Sequence, residues 1–228
     1  MIECLKVIKG KKGRKGINLP VLPFILFSLL IPFIHLTPLN TFLTFNPFNM
    51  ASFIPDGDYH KLLAYQKANL VYALNNWFME NTDLRFKRTK EQMEHAARSG
   101  KQNIIEGMNN FVTSKPSGIH LVNCARGSMK ELKGDYEDFL LRNNFKQWGY
   151  TDRLFKRAQE LGKENNSDHN FFIQKFQALN SEMIANILIV LIGQAIFMTE
   201  QLMKKLEQDL LDNGGYRENI YKYRKGRQ

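Results

Sequence analysis

The chain has 228 residues, of which 43% are hydrophobic and 24% charged, with a net charge of +10. That balance describes one large globular domain, or one domain with appendages, able to bury a real core. Two distant cysteines, Cys4 and Cys124, exclude a disulfide framework and a CxxC metal site.

The charge sits mainly at the two ends. Residues 1–49 carry six basic side chains against Glu3, and residues 216–228 carry five against Glu218. The body between them is left at +1. Basic ends suit an anionic partner such as nucleic acid or acidic lipid; equally, they describe solvated tails.

Residues 9–16, "KGKKGRKG", are followed by "INLPVLPFILFSLLIPFIHL". A basic stretch before an apolar one has the outline of a signal peptide. Pro20, Pro23 and Pro32 interrupt the apolar part, and no A-x-A cleavage site follows. A membrane span needs about 20 apolar residues, usually without this much proline. A third reading starts the protein at Met50, just before clean helical periodicity begins, and makes residues 1–49 upstream sequence. The expected organisation is an N-terminal extension over 1–57, disordered or absent from the mature protein, a helical domain over 58–215 and a basic tail over 216–228. A cytoplasmic location follows from that reading, and export or membrane attachment from the alternative in which 1–49 is genuine.

From Tyr59 onward helical spacing dominates and no strand pattern of useful length occurs. A first helix over 58–80, capped by Asp58, aligns Leu63, Leu70, Leu74 and Trp77. A second over 85–111 aligns Met93, Ala97, Gly100, Ile104, Gly107 and Phe111, with charged i,i+4 pairs on its other face. "TSKPSG" at 113–118 breaks the chain. A third helix over 117–143 places Val122, Ala125, Met129, Leu132, Tyr136 and Phe139 at the spacings of bundle packing. A turn at 144–151 leads to a short helix closed by Gly162, then a loop. Residues 168–178 either join the last helix or form a short one. The last helix, over 179–212, turns Ile184, Leu188, Leu191, Ala195, Met198, Leu202 and Leu206 inward.

Across "MIANILIVLIGQAIFM", residues 183–198, only Asn186 and Gln194 are strongly polar. A helix apolar all round must be buried all round. In a four-helix body one side would still face outward, and an exposed apolar strip marks an interface. The expectation is a homo-oligomer in which Ile187, Ile189, Val190, Ile196 and Phe197 meet a neighbouring subunit.

Chemistry-bearing patterns are scarce. Glu91, Glu94 and His95 have the wrong spacing for a di-iron bundle and read as a solvated face. Cys124 follows His120 by four residues, but no third group orients the pair. There is no P-loop, GxGxxG after a strand, GxSxG or HExxH. No enzyme and no cofactor is expected.

"SGKQNIIEGM", residues 99–108, places two glycines on a core stripe beside Asn103 and Glu106 at i,i+3. Each glycine costs a helix about 1 kcal/mol relative to Ala. The reading is a seam where two helices approach closely, answered on the third helix by Ala125, Gly127 and Ser128 in "ARGSMKEL". Asn123 and Arg126 are expected within reach of Glu106, forming a network that sets register.

Here the sequence resembles a known family. "YHKLLAYQKA" (59–68), "NIIEG" (103–107) and "ARGSMKEL" (125–132, including Glu131) are similar to elements of the bacterial four-helix-bundle proteins encoded by intervening sequences in large-subunit ribosomal RNA. The 144–180 insertion and basic tail are closer to the four-helix-bundle suffix-domain subgroup. The resemblance implies an all-α, antiparallel up-down-up-down four-helix bundle with a short extra helix between helices 3 and 4. It also implies assembly into ring-like homo-oligomers, commonly pentamers, and kinship with the accessory variability protein of diversity-generating retroelements, which binds reverse transcriptase and nucleic acid.

The leading functional expectation is a non-enzymatic oligomeric adaptor. Its partners would be itself and RNA, DNA or a reverse-transcriptase-like protein, with no small-molecule substrate and no membrane. In the tail, Arg217, Lys222, Arg224, Lys225 and Arg227 would meet phosphates while Tyr223 and its neighbouring tyrosines stack on bases. The alternative is a protein-only scaffold with an inert tail.

Overall fold

The structure is a computed structural model that describes residues 58–83, 87–215, 220–221 and 224–225. Among these residues there are six α-helices and no strand. A 3-10 turn, Tyr59–Lys61, precedes α1 (Leu63–Asn81), α2 (Lys87–Thr113), α3 (Lys115–Arg142), α4 (Arg153–Glu164), α5 (His169–Phe176) and α6 (Ser181–Asn213).

The boundaries follow local chemistry. Asp58 caps the 3-10 turn, accepting from the backbone N–H of His60, and α1 starts five residues later than expected. The break between α2 and α3 is one residue, the extended Ser114, because Pro116 lies in the first turn of α3 where its missing N–H costs nothing. Gly118, where the expected breaker and the expected third helix overlap, is inside α3. Two short helices, rather than one, occupy the insertion. α4 runs through Gly162 to Glu164, and Asp168 caps α5 by accepting from Phe171 N. Asn180 caps α6 in the same way through Met183 N, and Gly214 at φ 63° ends it.

The four long helices pack in a closed cycle: α1 on α2, α2 on α3, α3 on α6 and α6 on α1. Cross-helix pairs fix their directions. Asn75 of α1 meets Met93 of α2 and Tyr72 meets Lys101, so these two run antiparallel. Lys115 of α3 meets Asp209 of α6 and Arg126 meets Glu200, so these do too. The core fills the space between them. Every expected inward residue of α2 and α3 is buried. On α6 all but the half-buried Met198 are buried. α1 departs from expectation: Leu63 is exposed and Trp77 half-buried against Phe176 of α5, while Lys67 and Asn75 are fully buried.

α4 packs on α6 and α5 on α1. This accounts for much of the apolar girth of α6, since the insertion of the same chain covers one side of it. By length and composition α6 could cross a membrane, yet 56% of its most apolar window is buried inside the chain.

Candidate functional site

The seam between α2 and α3 is built from glycine. A Cβ on Gly107 would lie 2.8 Å from Val122 Cγ2 and 3.0 Å from the Gly118 carbonyl oxygen. A Cβ on Gly118 would meet the Gly107 carbonyl oxygen at 2.6 Å and Phe111 Cα at 2.7 Å. Gly100 lies under the side chain of Met129, whose Cε would be 2.4 Å from an added Cβ. The two glycines of "SGKQNIIEGM" thus face the neighbouring helix as expected, but their counterparts are Gly118, Val122 and Met129. Gly127 is not one of them, since a Cβ there meets nothing within 4 Å. The missed residue, Gly118, lies seven residues before Ala125 on the same stripe, but it falls where the breaker and the helix start overlap and is absent from the expected stripe.

The expected polar network takes a different form. Glu106 is exposed, and Arg126 turns away from it to Glu200 of α6 at 3.4 Å, with Lys130 at 3.8 Å from the same carboxylate. Asn103 donates to Ser99 Oγ at 3.2 Å, and Ser128 Oγ reaches the same oxygen at 3.3 Å. A serine–serine hydroxyl contact, with Asn103 bonded to the α2 serine, therefore bridges α2 and α3 where a carboxylate–guanidinium pair was expected. Glu131 and Asn123 are exposed on α3. Glu131 acts on Asp135, whose carboxyl is pushed up by partial burial, then by Asp138 and Glu131, against the opposing pull of Arg142.

The strongest polar features are buried ones. Tyr136 of α3 donates to Asn75 Oδ1 of α1 at 2.8 Å, and Asn75 Nδ2 reaches the Met93 carbonyl of α2 at 3.4 Å, so one amide ties three helices. Burial, followed by the nearby Asp135 charge, pushes the Tyr136 hydroxyl well above its ordinary range. Lys67 is fully buried on α1 and donates to the Gly162 carbonyl in the last turn of α4. Burial lowers its amine to about 7. A cation at a helix C-terminus meets the negative end of the dipole and an otherwise open carbonyl. Beside it, Gln194 of α6 donates to the Gln159 carbonyl at 2.7 Å, while its buried Oε1 has no hydrogen-bond partner.

Sequence periodicity pointed away from Lys67 and Asn75, because polar residues on a core stripe interrupt the apolar pattern. The α3–α6 contact is closed by Lys115 and Asp209 at 2.6 Å. Partial burial pushes the Asp209 carboxyl up, but hydrogen bonds from Lys115 and Asn213 and the Lys115 charge hold it below the usual range.

Of the five α6 residues expected at an oligomer interface, Ile189 and Val190 are buried within the chain and cannot face a neighbour. Ile187 and Ile196 are half-buried, and Phe197 is 46% exposed. In the basic tail, Arg217, Lys222, Tyr223 and Arg227 lie outside the described residues. Arg224 and Lys225 are exposed, as is Tyr221.

His120 Nε2 and Cys124 Sγ lie 3.7 Å apart on the outer face of α3. Among the described residues no group of three or more His, Cys, Asp or Glu is placed to hold a metal ion. No family model matches the chain, and neither do any curated protein or solved structure.

Proposed function

We propose that the chain is a non-enzymatic oligomeric adaptor that binds nucleic acid, or a ribonucleoprotein, through its basic surface and tail. The observation that carries this reading is the separation of charge: a body near neutrality joined to a tail of five basic residues among tyrosines. Arg224 and Lys225 are exposed there beside the exposed Tyr221. Cations can meet phosphates while aromatic faces stack on unpaired bases.

In this reading the four long helices are an antiparallel up-down-up-down bundle of the ribosomal intervening-sequence kind. The closed packing cycle and the glycine seam at residues 100–118 support that reading. Copies associate into a ring, with a pentamer as the family-like number, through Phe197 and the part-exposed Ile187 and Ile196. The adaptor works in the cytoplasm.

The test compares the full chain with a form ending at Gly215. RNA binding by the full chain should weaken steeply with salt, since each phosphate neutralised releases counterions. The shortened form should bind far more weakly at low salt. Equal binding by both forms removes the tail from the mechanism. Light scattering with and without nuclease tests the oligomer, and a monomeric mass contradicts it.

A further inference from the structure

The body of the chain is nearly neutral as a whole, but its charge is unevenly placed. Residues 142–157 carry Arg142, Lys146, Arg153, Lys156 and Arg157 against Asp152 alone, which leaves the rest of the 50–215 body net acidic. The same stretch holds Phe145, Trp148, Tyr150 and Phe155. It is the loop between α3 and α4 together with the first turns of α4.

This loop is held rigidly. α3 ends with Asn144 in the left-handed region at φ 56°, with Phe145 N bonded to the Leu140 carbonyl and Asn144 N to that of Leu141. That is the Schellman arrangement, with asparagine where glycine is usual. Beyond it, the fully buried Asn186 of α6 acts as a surrogate backbone. Its Oδ1 accepts from Trp148 N at 2.8 Å and its Nδ2 donates to the Lys146 carbonyl at 2.9 Å. Glu182 accepts from Lys146 N at 3.0 Å, and Asp152 accepts from Gly149 N at 2.8 Å. Both carboxylates therefore hold the loop backbone.

What the clamp presents is unusual. Tyr150 is 79% exposed, with Leu211 the highest value among the large apolar side chains of the described residues. Its ring is steadied edge-on by Phe155 at a centroid distance of 5.1 Å. Lys146, Arg153 and Lys156, all within six residues of it in the sequence, are exposed, the last two at i,i+3 on α4. Arg142 and Arg157 pair with Asp138 and Glu160 on their own helices. An exposed ring on a preorganised backbone can stack on a ligand with little further ordering.

We propose that the α3–α4 loop and the first turn of α4 form a structured contact for single-stranded nucleic acid, with Tyr150 stacking on a base and Lys146, Arg153 and Lys156 meeting phosphates. The proposal rests on the reading that this chain meets nucleic acid, and it adds a site in the folded body, distinct from the tail. The exposed ring decides between partners. An acidic peptide would engage the cations without it, whereas an unpaired base offers a π face between phosphates. A duplex offers no such free face.

The test measures binding of the full chain to a fluorescein-labelled oligouridine of roughly 20 nucleotides, longer than one typical site. Tyr150→Ala should weaken binding about tenfold or more, and Tyr150→Phe should stay within about twofold of the unaltered chain. Lys146→Gln with Lys156→Gln should weaken binding at low salt and make the salt dependence shallower by about one to two in log–log slope. Thermal unfolding should be unchanged in all three, since the side chains are exposed. Unaltered binding by Tyr150→Ala overturns the proposal, and so does an equal loss in Tyr150→Phe. If only removal of residues 216–228 abolishes binding, the tail reading stands and this site falls. If the full chain binds no oligouridine, both fall. If the loop variants lose affinity for polyglutamate but not for oligouridine, the surface is a protein contact and the proposal is overturned.

Discussion

The Lys67 amine on α1 donates to the Gly162 carbonyl in the last turn of α4, 95 residues further along the chain. This bond is one of those that link the long helices to the insertion that covers α6. It also makes the fold sensitive to pH. Burial lowers the amine from 10.5 to about 7, so between those values the unfolded chain binds the proton and the folded chain does not. Stability therefore rises with pH across that window, by at most about 1.4 kcal/mol per unit. Below about 7 both states are protonated, and the cost of burying the charge is constant. Denaturant unfolding at pH 7, 8 and 9 should show the rise, and Lys67→Met should remove it. A slope that persists in Lys67→Met contradicts the assignment.

The glycine seam predicts an ordered series. Alanine at Gly118 places a methyl against backbone atoms of Gly107 and Phe111, which cannot give way without moving a helix. Alanine at Gly107 meets Val122 and the Gly118 carbonyl, and alanine at Gly100 meets the flexible Met129 side chain, nearest at its Cε. The expected loss is about 2–4 kcal/mol for Gly118→Ala, smaller for Gly107→Ala and smallest for Gly100→Ala. Gly127→Ala and Gly134→Ala meet nothing within 4 Å and should stabilise by up to about 1 kcal/mol each through helix propensity. Loss of stability in the open pair, or none in the facing pair, would show that the seam is misplaced.

Tyr136 and Asn75 should act as one unit. Tyr136→Phe leaves Asn75 Oδ1 buried without its donor and should cost about 1–3 kcal/mol. Asn75→Ala should cost a similar amount, since it strips the acceptor from Tyr136 and the donor from the Met93 carbonyl. The double variant should be less destabilised than the two losses added, because the interaction can be lost only once. Strict additivity in a double-mutant cycle would mean that the 2.8 Å bond contributes nothing.

These residues also mark how far the sequence could be read. α2 and α3 were legible because each carries an uninterrupted stripe, and all of its members are buried. α1 was less legible, since Lys67 and Asn75 occupy core positions that periodicity assigns to apolar residues. Their burial is satisfied by partners on α2, α3 and α4 that no local pattern announces. Glu106 failed in the opposite sense. It is at a plausible height for Arg126, but Arg126 also lies beside α6, and Glu200 is the carboxylate it reaches. The girth of α6 was visible as composition, whereas its cover was not. α4 is a short helix with a polar outer face, and its docking rests on Ala158, Leu161 and Gly162, too few residues to stand out.

The exposed part of α6 yields the sharpest test of assembly. Phe197 is 46% exposed, and Gly193, one turn earlier, has open space where a Cβ would be. A ring beside a gap is a shape that a neighbouring helix can fill, and burying such a ring contributes about 1.5–3 kcal/mol per copy. Phe197→Asp should therefore lower the light-scattering mass toward that of one chain while leaving helicity and melting nearly unchanged. Gly193→Leu should do the same by filling the gap; in an isolated chain it would instead stabilise α6 through helix propensity. Ile189→Asp is the control that separates interface from core. Ile189 is 5% exposed, so this variant should unfold the chain. If Phe197→Asp and Gly193→Leu both keep the mass of the unaltered protein, the proposed α6 interface is wrong.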